Sequence, residues 1–323
     1  MPSDAHLLLL DRDAVAALMT TGMVSRAVHD AFTLHSERQG RIFPVVREAL
    51  STGGIFGIKS GDVAACALLG FKAAGFWPRN RELGGEPHQA TIMLFDPATG
   101  RPRCIMDGNA ITTARTAAAG ELGLRTLARA DSATLCVFGT GVQARAQLSA
   151  ALRALPSLRT VRYVSHDGKP DAAFEDHFAE EHRPTLVVDV DAAVATSDVV
   201  ITATPGGGPL FSLAAVRPGT HFNCVGADTR GKRELPQGLL QRCRLVVDDS
   251  EQASQLGETQ WDPSVPHTEL GDLLTGKFAF VRRADDVTVF DMTGLALQDL
   301  VVGKYLYDAA RDADVGRKTP WPW

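Results

Sequence analysis

"ATLCVFGTGVQARAQLSAALRAL", residues 133–155, decides the fold. An apolar run ends in Gly139, and a helical pattern rich in Ala and Leu follows at once. The turn has the form G-x-G-x-x-A. Gly139 permits the tight turn, Gly141 lets the backbone approach a pyrophosphate, and small Ala144 lets helix and strand pack closely. Thr140, Val142 and Gln143 complete a loop whose helix N-terminus offers N–H groups to phosphate oxygens. A bare G-x-G-x-x-A also fits a plain strand–turn–helix, so the surroundings decide between the two.

The surroundings repeat the unit. "TVRYVS", "TLVVDV", "DVVITATP", "THFNCVGA" and "CRLVVDD" are apolar throughout, several with helical segments between them. That pattern predicts a parallel sheet covered on both faces. About 20 residues beyond the loop, where an acid would bind a ribose, stand Ser165, His166 and Asp167. Ser165 and His166 suit a phosphate, whereas Asp167 suits a ribose or simply starts the turn, so the choice between NAD and NADP stays open. Before residue 110 the character differs. Short runs punctuated by Gly and Pro predict a mostly antiparallel sheet, with one early helix near residues 11–38 and a hairpin around "DPATG". "TTARTAAAGELGLRTLARA" predicts a long helix capped by Thr112 or Thr113. "MTGLALQDLVVGKYLYDAARDA" predicts a last amphipathic helix that packs back onto the first domain.

The chain has 323 residues, enough for two domains, and 45% apolar content to build their cores. A net charge of −5 with interspersed signs argues against nucleic acid as partner. Five scattered cysteines suit reduced, buried thiols, and nine histidines in no ligand spacing suggest no metal. No apolar run approaches the roughly 18 residues of a membrane span. The opening "MPSDAHLLLLDRD", with Asp4 where a basic segment would stand, reads as a first strand and not a signal peptide, so a cytoplasmic protein is expected. The final "TPWPW" reads as a loose or docking end.

The motifs "GFKAAGFWPRN", "DGNAITTARTAAAG", "VFGTGVQARAQL", "TATP", "GTHFNCVGADTRGKREL" and "TGLALQDL" run in order over nearly the whole chain. Together they resemble the ornithine cyclodeaminase/μ-crystallin family. The resemblance implies an α/β protein with two domains. One is a Rossmann NAD(P)-binding domain over residues 113–293. The other is an α+β substrate and dimerisation domain over 1–112, completed by the C-terminal helix at about 294–323. It also implies a homodimer and chemistry at a carbon bearing nitrogen in a small amino or imino acid. Arg47 and Arg115 would hold the substrate carboxylate. Lys72 would contact the same carboxylate or move a proton, and Asp228 would meet the reacting nitrogen. Thr204 and Val225 would join the loop in lining the cofactor site.

The residue chemistry is compatible with these roles. Guanidinium groups bind a planar carboxylate with paired hydrogen bonds. Burial of Lys72 in its apolar strand would lower its pKa towards neutrality. Arg115, read as a first-turn residue, would be unfavourable there without an anion. Plainer readings compete. Asp228 suits an Asx turn, Lys72 a snorkelling strand lysine, and Arg115 a partner for Glu121. Arg47 suits a surface residue beside Glu48, His88 a structural histidine, and Asp291 and Thr293 caps of the last helix. Where family members often carry Met-Pro, this chain has Ile58-Lys59, and "TPGGGPLF" reads as a mobile stretch. Net redox at the C–N centre is favoured over redox-neutral cyclodeamination of ornithine, because Lys59 and Lys72 make poor company for a second amine. A non-catalytic NADPH binder of crystallin type is the remaining alternative.

Overall fold

The computed structural model describes residues 5–180 and 182–322, so Asp4 and Trp323 lie outside the described residues. Two compact units are present. One comprises the residues up to Arg115 together with those from Leu295 onward, and the other is Thr116–Gly294.

The chain opens with strand β1 (His6–Leu10) and helices α1 (Arg12–Leu18) and α2 (Thr21–Ser36). The single early helix expected near residues 11–38 is therefore two. Met19 is the C-cap of the first and Thr20 the N-cap of the second, its Oγ1 accepting from the N–H of Met23 at 3.2 Å. Strands β2 (Gly40–Ile42), β3 (Val46–Ala49), β4 (Ile55–Val63), β5 (Leu68–Phe76), β6 (His88–Phe95) and β7 (Pro102–Asp107) follow. The β6–β7 hairpin turns through Asp96–Arg101, with Gly100 at φ 73°. Helix α3 spans Asn109–Leu127.

The next elements are β8 (Thr134–Phe138), α4 (Val142–Ala154), β9 (Thr160–Val164), α5 (Ala172–His177), β10 (Thr185–Leu186), α6 (Val190–Ala195), β11 (Val199–Thr202) and β12 (His221–Cys224). Then come β13 (Arg244–Val247), α7 (Ser250–Leu256), β14 (His267–Glu269), α8 (Leu270–Leu274), β15 (Thr288–Asp291), α9 (Ala296–Asp312) and β16 (Arg317–Pro320).

The first unit is built on a sheet ordered β16-β1-β7-β6-β5-β4-β2, with β3 also on β4. It is antiparallel except where β1 joins β7. The tail is not loose: β16 pairs with β1, and the N–H of Trp321 donates to Ala5 O at 2.9 Å. Helix α9 packs on α2 and on β5. Glycine makes that contact close. A Cβ on Gly70 would meet Met93 O at 2.6 Å and the Leu300 side chain at 2.9 Å.

The second unit carries a wholly parallel sheet, β10-β9-β8-β11-β12-β15-β13-β14. Its central strands, β8, β11, β12, β13 and β15, are buried on both faces. Leu135, Val137, Val161, Tyr163, Val199 and Ile201 share one apolar cluster with α4. Cys136, Phe138, Val200, Phe222 and Val289 belong to the other. That two-sided burial is why the strands read as continuous apolar runs.

The Gly70→Ala variant should lose about 1–3 kcal/mol of stability, because the methyl meets a backbone carbonyl that cannot swing aside. Denaturant unfolding measures this; an unchanged midpoint would mean Gly70 is not pressed against Met93 O of β6 and Leu300 of α9 as described.

Candidate functional site

In the first unit, Lys72 and Arg115 meet on a residue given no role by sequence reasoning, Asp299. The Lys72 ammonium lies 2.7 Å from one carboxylate oxygen of Asp299, and Arg115 Nε lies 3.1 Å from the other. Arg115 Nη1 donates to Gln298 Oε1 at 3.1 Å. All four side chains are buried. Each arrives on a different element: Lys72 from the middle of β5, Arg115 from α3, and Gln298 and Asp299 from the first turn of α9. An acid in a first helical turn is stabilised by the helix dipole.

Arg115 is not in the first turn of its helix. Helix α3 begins at Asn109, whose N–H donates to Asp107 Oδ1 at 3.2 Å, so Arg115 stands in the second turn, where the dipole is faint. Thr112 and Thr113 lie inside the helix and not at its N-terminus; Thr113 Oγ1 donates back to Asn109 O. Nor does Arg115 pair with Glu121, which is taken by Arg125 and Arg153.

Burial lowers the pKa of Lys72 to about 7; Asp299 opposes the shift, while Arg115 and Lys59 reinforce it. Burial works against ionisation of Asp299 too, but Arg115 and Lys72 prevail and hold its pKa below the usual value. His88, at the start of β6, is pushed down first by burial and then by Lys72 and Arg115. With Lys72 protonated, Lys72, Arg115 and Asp299 sum to one net positive charge, two cations against one anion. A buried excess of that sign suits an incoming carboxylate. Arg47 stands on β3 opposite Gly57, with its side chain over that glycine.

In the second unit, the loop between β8 and α4 has the geometry its glycines suggest. Gly139 has φ 100°, and a Cβ there would strike Ala203 O at 2.7 Å. Gly141 is the N-cap of α4 with no side-chain cap, and a Cβ on it would meet nothing within 4 Å. The N–H groups of Val142, Gln143 and Ala144 therefore begin the helix beneath open space. The buried Oε1 of Gln143 has no hydrogen-bond partner among the described residues, and Ala144 is fully buried under Gly139. The residues present fit a dinucleotide pyrophosphate. At the end of β9, Ser165 Oγ donates to Lys169 O, Asp167 Oδ1 accepts from the Lys169 N–H at 3.1 Å, and His166 is exposed.

Asp228 lies just past β12, part-exposed, 2.7 Å from the Lys232 ammonium. Its loop is fixed from below. Gln260 accepts from the N–H of Gly231 at 2.7 Å, and the Trp261 indole donates to Lys232 O. Thr204 is held through both its N–H and its Oγ1 by Glu234 Oε1, while Glu234 Oε2 accepts from Gly226 N–H beside Val225. The glycine stretch after Thr204 is tied down: Gly208 N–H donates to Arg233 O, and Arg233 N–H to Gly206 O. Glu258 accepts from the N–H of Glu234, and Asp291 from those of Glu258 and Thr259. Asp291 ends β15, and Thr293 donates to Asp248, so neither caps α9, whose N-cap is Leu295. Glu234 and Glu258 carry no sequence signal because each binds backbone, which leaves no motif, and Asp291 resembles a cap for the same reason.

The ornithine cyclodeaminase/mu-crystallin family matches residues 8–314. The chain is 32% identical to an iminosuccinate reductase of Paracoccus denitrificans over 97% of its own length and 99% of that protein. It is 31% identical to an alanine dehydrogenase of Archaeoglobus fulgidus, over 96% of this chain and 97% of the other. Among solved structures, an archaeal alanine dehydrogenase dimer with bound NAD aligns with a TM-score of 0.91 at 29% identity, covering 98% of this chain and all of that one. The chain belongs to the ornithine cyclodeaminase/mu-crystallin family.

Burial raises Glu258 to about 8 and Asp291 to about 7, above their unfolded values, so the folded unit keeps protons that the unfolded chain has lost. Stability should fall as pH rises from about 5 to about 8. Thermal unfolding across that window should show the decline, and Glu258→Gln should flatten it; a curve unaffected by the substitution would contradict this origin.

Proposed function

We propose that the chain is an NAD(P)-dependent enzyme acting at the C–N centre of a small amino acid or imino acid, running imine reduction or amino-acid dehydrogenation. The observation that carries this reading is the buried pair Lys72 and Arg115 sharing Asp299, a cationic seat for a substrate carboxylate. Relatives support it by name: an iminosuccinate reductase, an alanine dehydrogenase, Δ1-pyrroline-2-carboxylate reductases and ketimine reductase mu-crystallin. No helix among the described residues is long and apolar enough to cross a membrane, and we place the enzyme in the cytoplasm as a homodimer.

When bound, the nicotinamide supplies or accepts the hydride at the carbon bearing nitrogen. Gly139, Thr140, Gly141, Val142, Gln143 and Ala144 would hold the pyrophosphate; Ser165, His166 and Asp167 the ribose; Thr204 and Val225 the nicotinamide half. Arg115 and Lys72 orient the substrate carboxylate, with Arg47 as a further guanidinium for it. Asp299 positions both cations and keeps Lys72 from losing its proton too readily. Asp228 stabilises the positive charge on the substrate nitrogen, and Lys232, 2.7 Å from that carboxylate, is the cation the nitrogen would displace. Residues up to Arg115, with α9, form the substrate and dimerisation domain, and the parallel-sheet unit is the cofactor domain.

A coupled assay tests the reaction. NAD(P)H should be consumed with small 2-imino acids, including pyrroline-2-carboxylate; ammonia release from ornithine without net cofactor change would favour cyclodeamination instead. Asp228→Asn should leave cofactor binding intact and lower turnover by about 10²–10⁴-fold. Unchanged turnover in that variant would remove Asp228 from the chemistry. For reduction, kcat/KM should fall as pH rises through about 7, where Lys72 loses its proton. Asp299→Asn should move that inflection down by about 1–2 pH units, and a fixed inflection would assign it to another group.

A further inference from the structure

Strand β9 lies beside β8, with Val164 opposite Phe138, and Gly139 N–H donates to Val164 O at 2.9 Å. The residues just past Val164 therefore stand next to the loop that fits a pyrophosphate. In a fold of this kind the adenosine ribose lies at that edge, and an NAD site offers it an acid that accepts from the 2′-hydroxyl. Here the position holds Ser165.

The acids nearby are each committed to backbone. Asp167 Oδ1 accepts from Lys169 N–H at 3.1 Å and closes a turn through Gly168, whose φ is 69°. Asp171 is the N-cap of α5, its Oδ1 accepting from Phe174 N–H at 2.9 Å, and the Arg145 guanidinium lies 3.8 Å from it. Asp189, past β10, caps α6 by accepting from Ala192 N–H at 3.0 Å. A carboxylate used as a cap or turn lock is held where its own backbone needs it.

The groups left over at this edge are donors. His166 and Lys169 are exposed on the turn, and an imidazole keeps an N–H donor in either charge state. The backbone of Lys169 is gripped twice: Asp167 holds its N–H, and its carbonyl accepts from Ser165 Oγ at 2.7 Å. The root of the lysine is thereby tied to the end of β9. Among the described residues its ammonium forms no ion pair. Arg145 adds a cation from α4. Its Nε donates to Thr140 O at 3.1 Å and its Nη1 to Ala173 O at 2.9 Å, so it spans the glycine loop and the start of α5.

We propose that His166 and Lys169, on the turn locked by Ser165 and Asp167, seat a 2′-phosphate, so that the chain prefers NADPH to NADH. This rests on the reading of the β8–α4 loop as a dinucleotide site and names the coenzyme that site takes. A ribose diol needs an acceptor, whereas a phosphate monoester needs donors and cations and is repelled by an uncommitted carboxylate. The edge meets the second requirement. Asp167 serves it by shaping the turn.

Two comparisons test this without turnover. One is fluorescence titration with NADPH and with NADH. The other is calorimetric titration with adenosine 2′,5′-bisphosphate and with 5′-AMP, which lack the nicotinamide half. The wild type should bind the 2′-phosphorylated member of each pair about 10- to 100-fold more tightly. Lys169→Met should lower that ratio about 10-fold, and Lys169→Arg should largely keep it. Ser165→Asp, which sets an acid at the ribose, should turn the preference towards NADH; Lys169→Met, at an exposed position, carries the test if that variant does not fold. NADH bound as tightly as NADPH overturns the coenzyme assignment and leaves the dinucleotide reading standing. A preference for NADPH unmoved by both Lys169→Met and His166→Gln overturns the seat. Failure of all four probes to bind overturns the dinucleotide reading and the assignment together.

Discussion

A single buried carboxylate, Asp299, organises the first unit. It sits in the first turn of α9 and carries Lys72 on one oxygen and Arg115 on the other. Burying two cations and an anion is costly unless the geometry is good, and removing one member of such a group leaves the others uncompensated. The group is therefore poorly explained as a device for stability alone. What the charged group leaves is one net positive charge, already desolvated, on a lysine whose pKa burial lowers to about 7.

The rest of the first unit holds that group in place. Gly70 lets α9 lie close on β5, which brings Asp299 within reach of the Lys72 side chain. Helix α3 delivers Arg115 from its second turn, deep enough to reach Gln298 as well. The second unit is built on a different principle. There, buried Glu234 binds the N–H groups of Thr204 and Gly226 just past β11 and β12, and Asp291 at the end of β15 binds those of Glu258 and Thr259, the former in turn holding Glu234 N–H. Fixed loops hold their side chains ready without reorganisation during reaction.

Much of this was legible in the sequence. The central parallel strands announced themselves because both faces are buried, and the Gly139–Ala144 loop because Gly139 meets a real constraint. Burial of Lys72 followed from its apolar strand. Asp299 was not legible, though "TGLALQDL" was quoted as a motif. On an amphipathic helix an isolated acid reads as a solvated position, and its partner Arg115 is 184 residues away. The start of α3 was misplaced because two threonines resemble caps, whereas Asp107 sits ahead of them at the helix start. Strands β14 and β15 escaped notice because they are short, three and four residues, with polar members at their ends. The acids at 234, 258 and 291 satisfy backbone groups, a role with no spacing rule.

The most direct test is a crystal structure with NAD(P)⁺ and an amino acid that the enzyme turns over. The amino acid's carboxylate should lie within about 3 Å of both the Lys72 ammonium and the Arg115 guanidinium, with Asp299 still bound to each from behind. A carboxylate seated on other residues, with Lys72 and Arg115 engaged by Asp299 and Gln298 alone, would contradict the account.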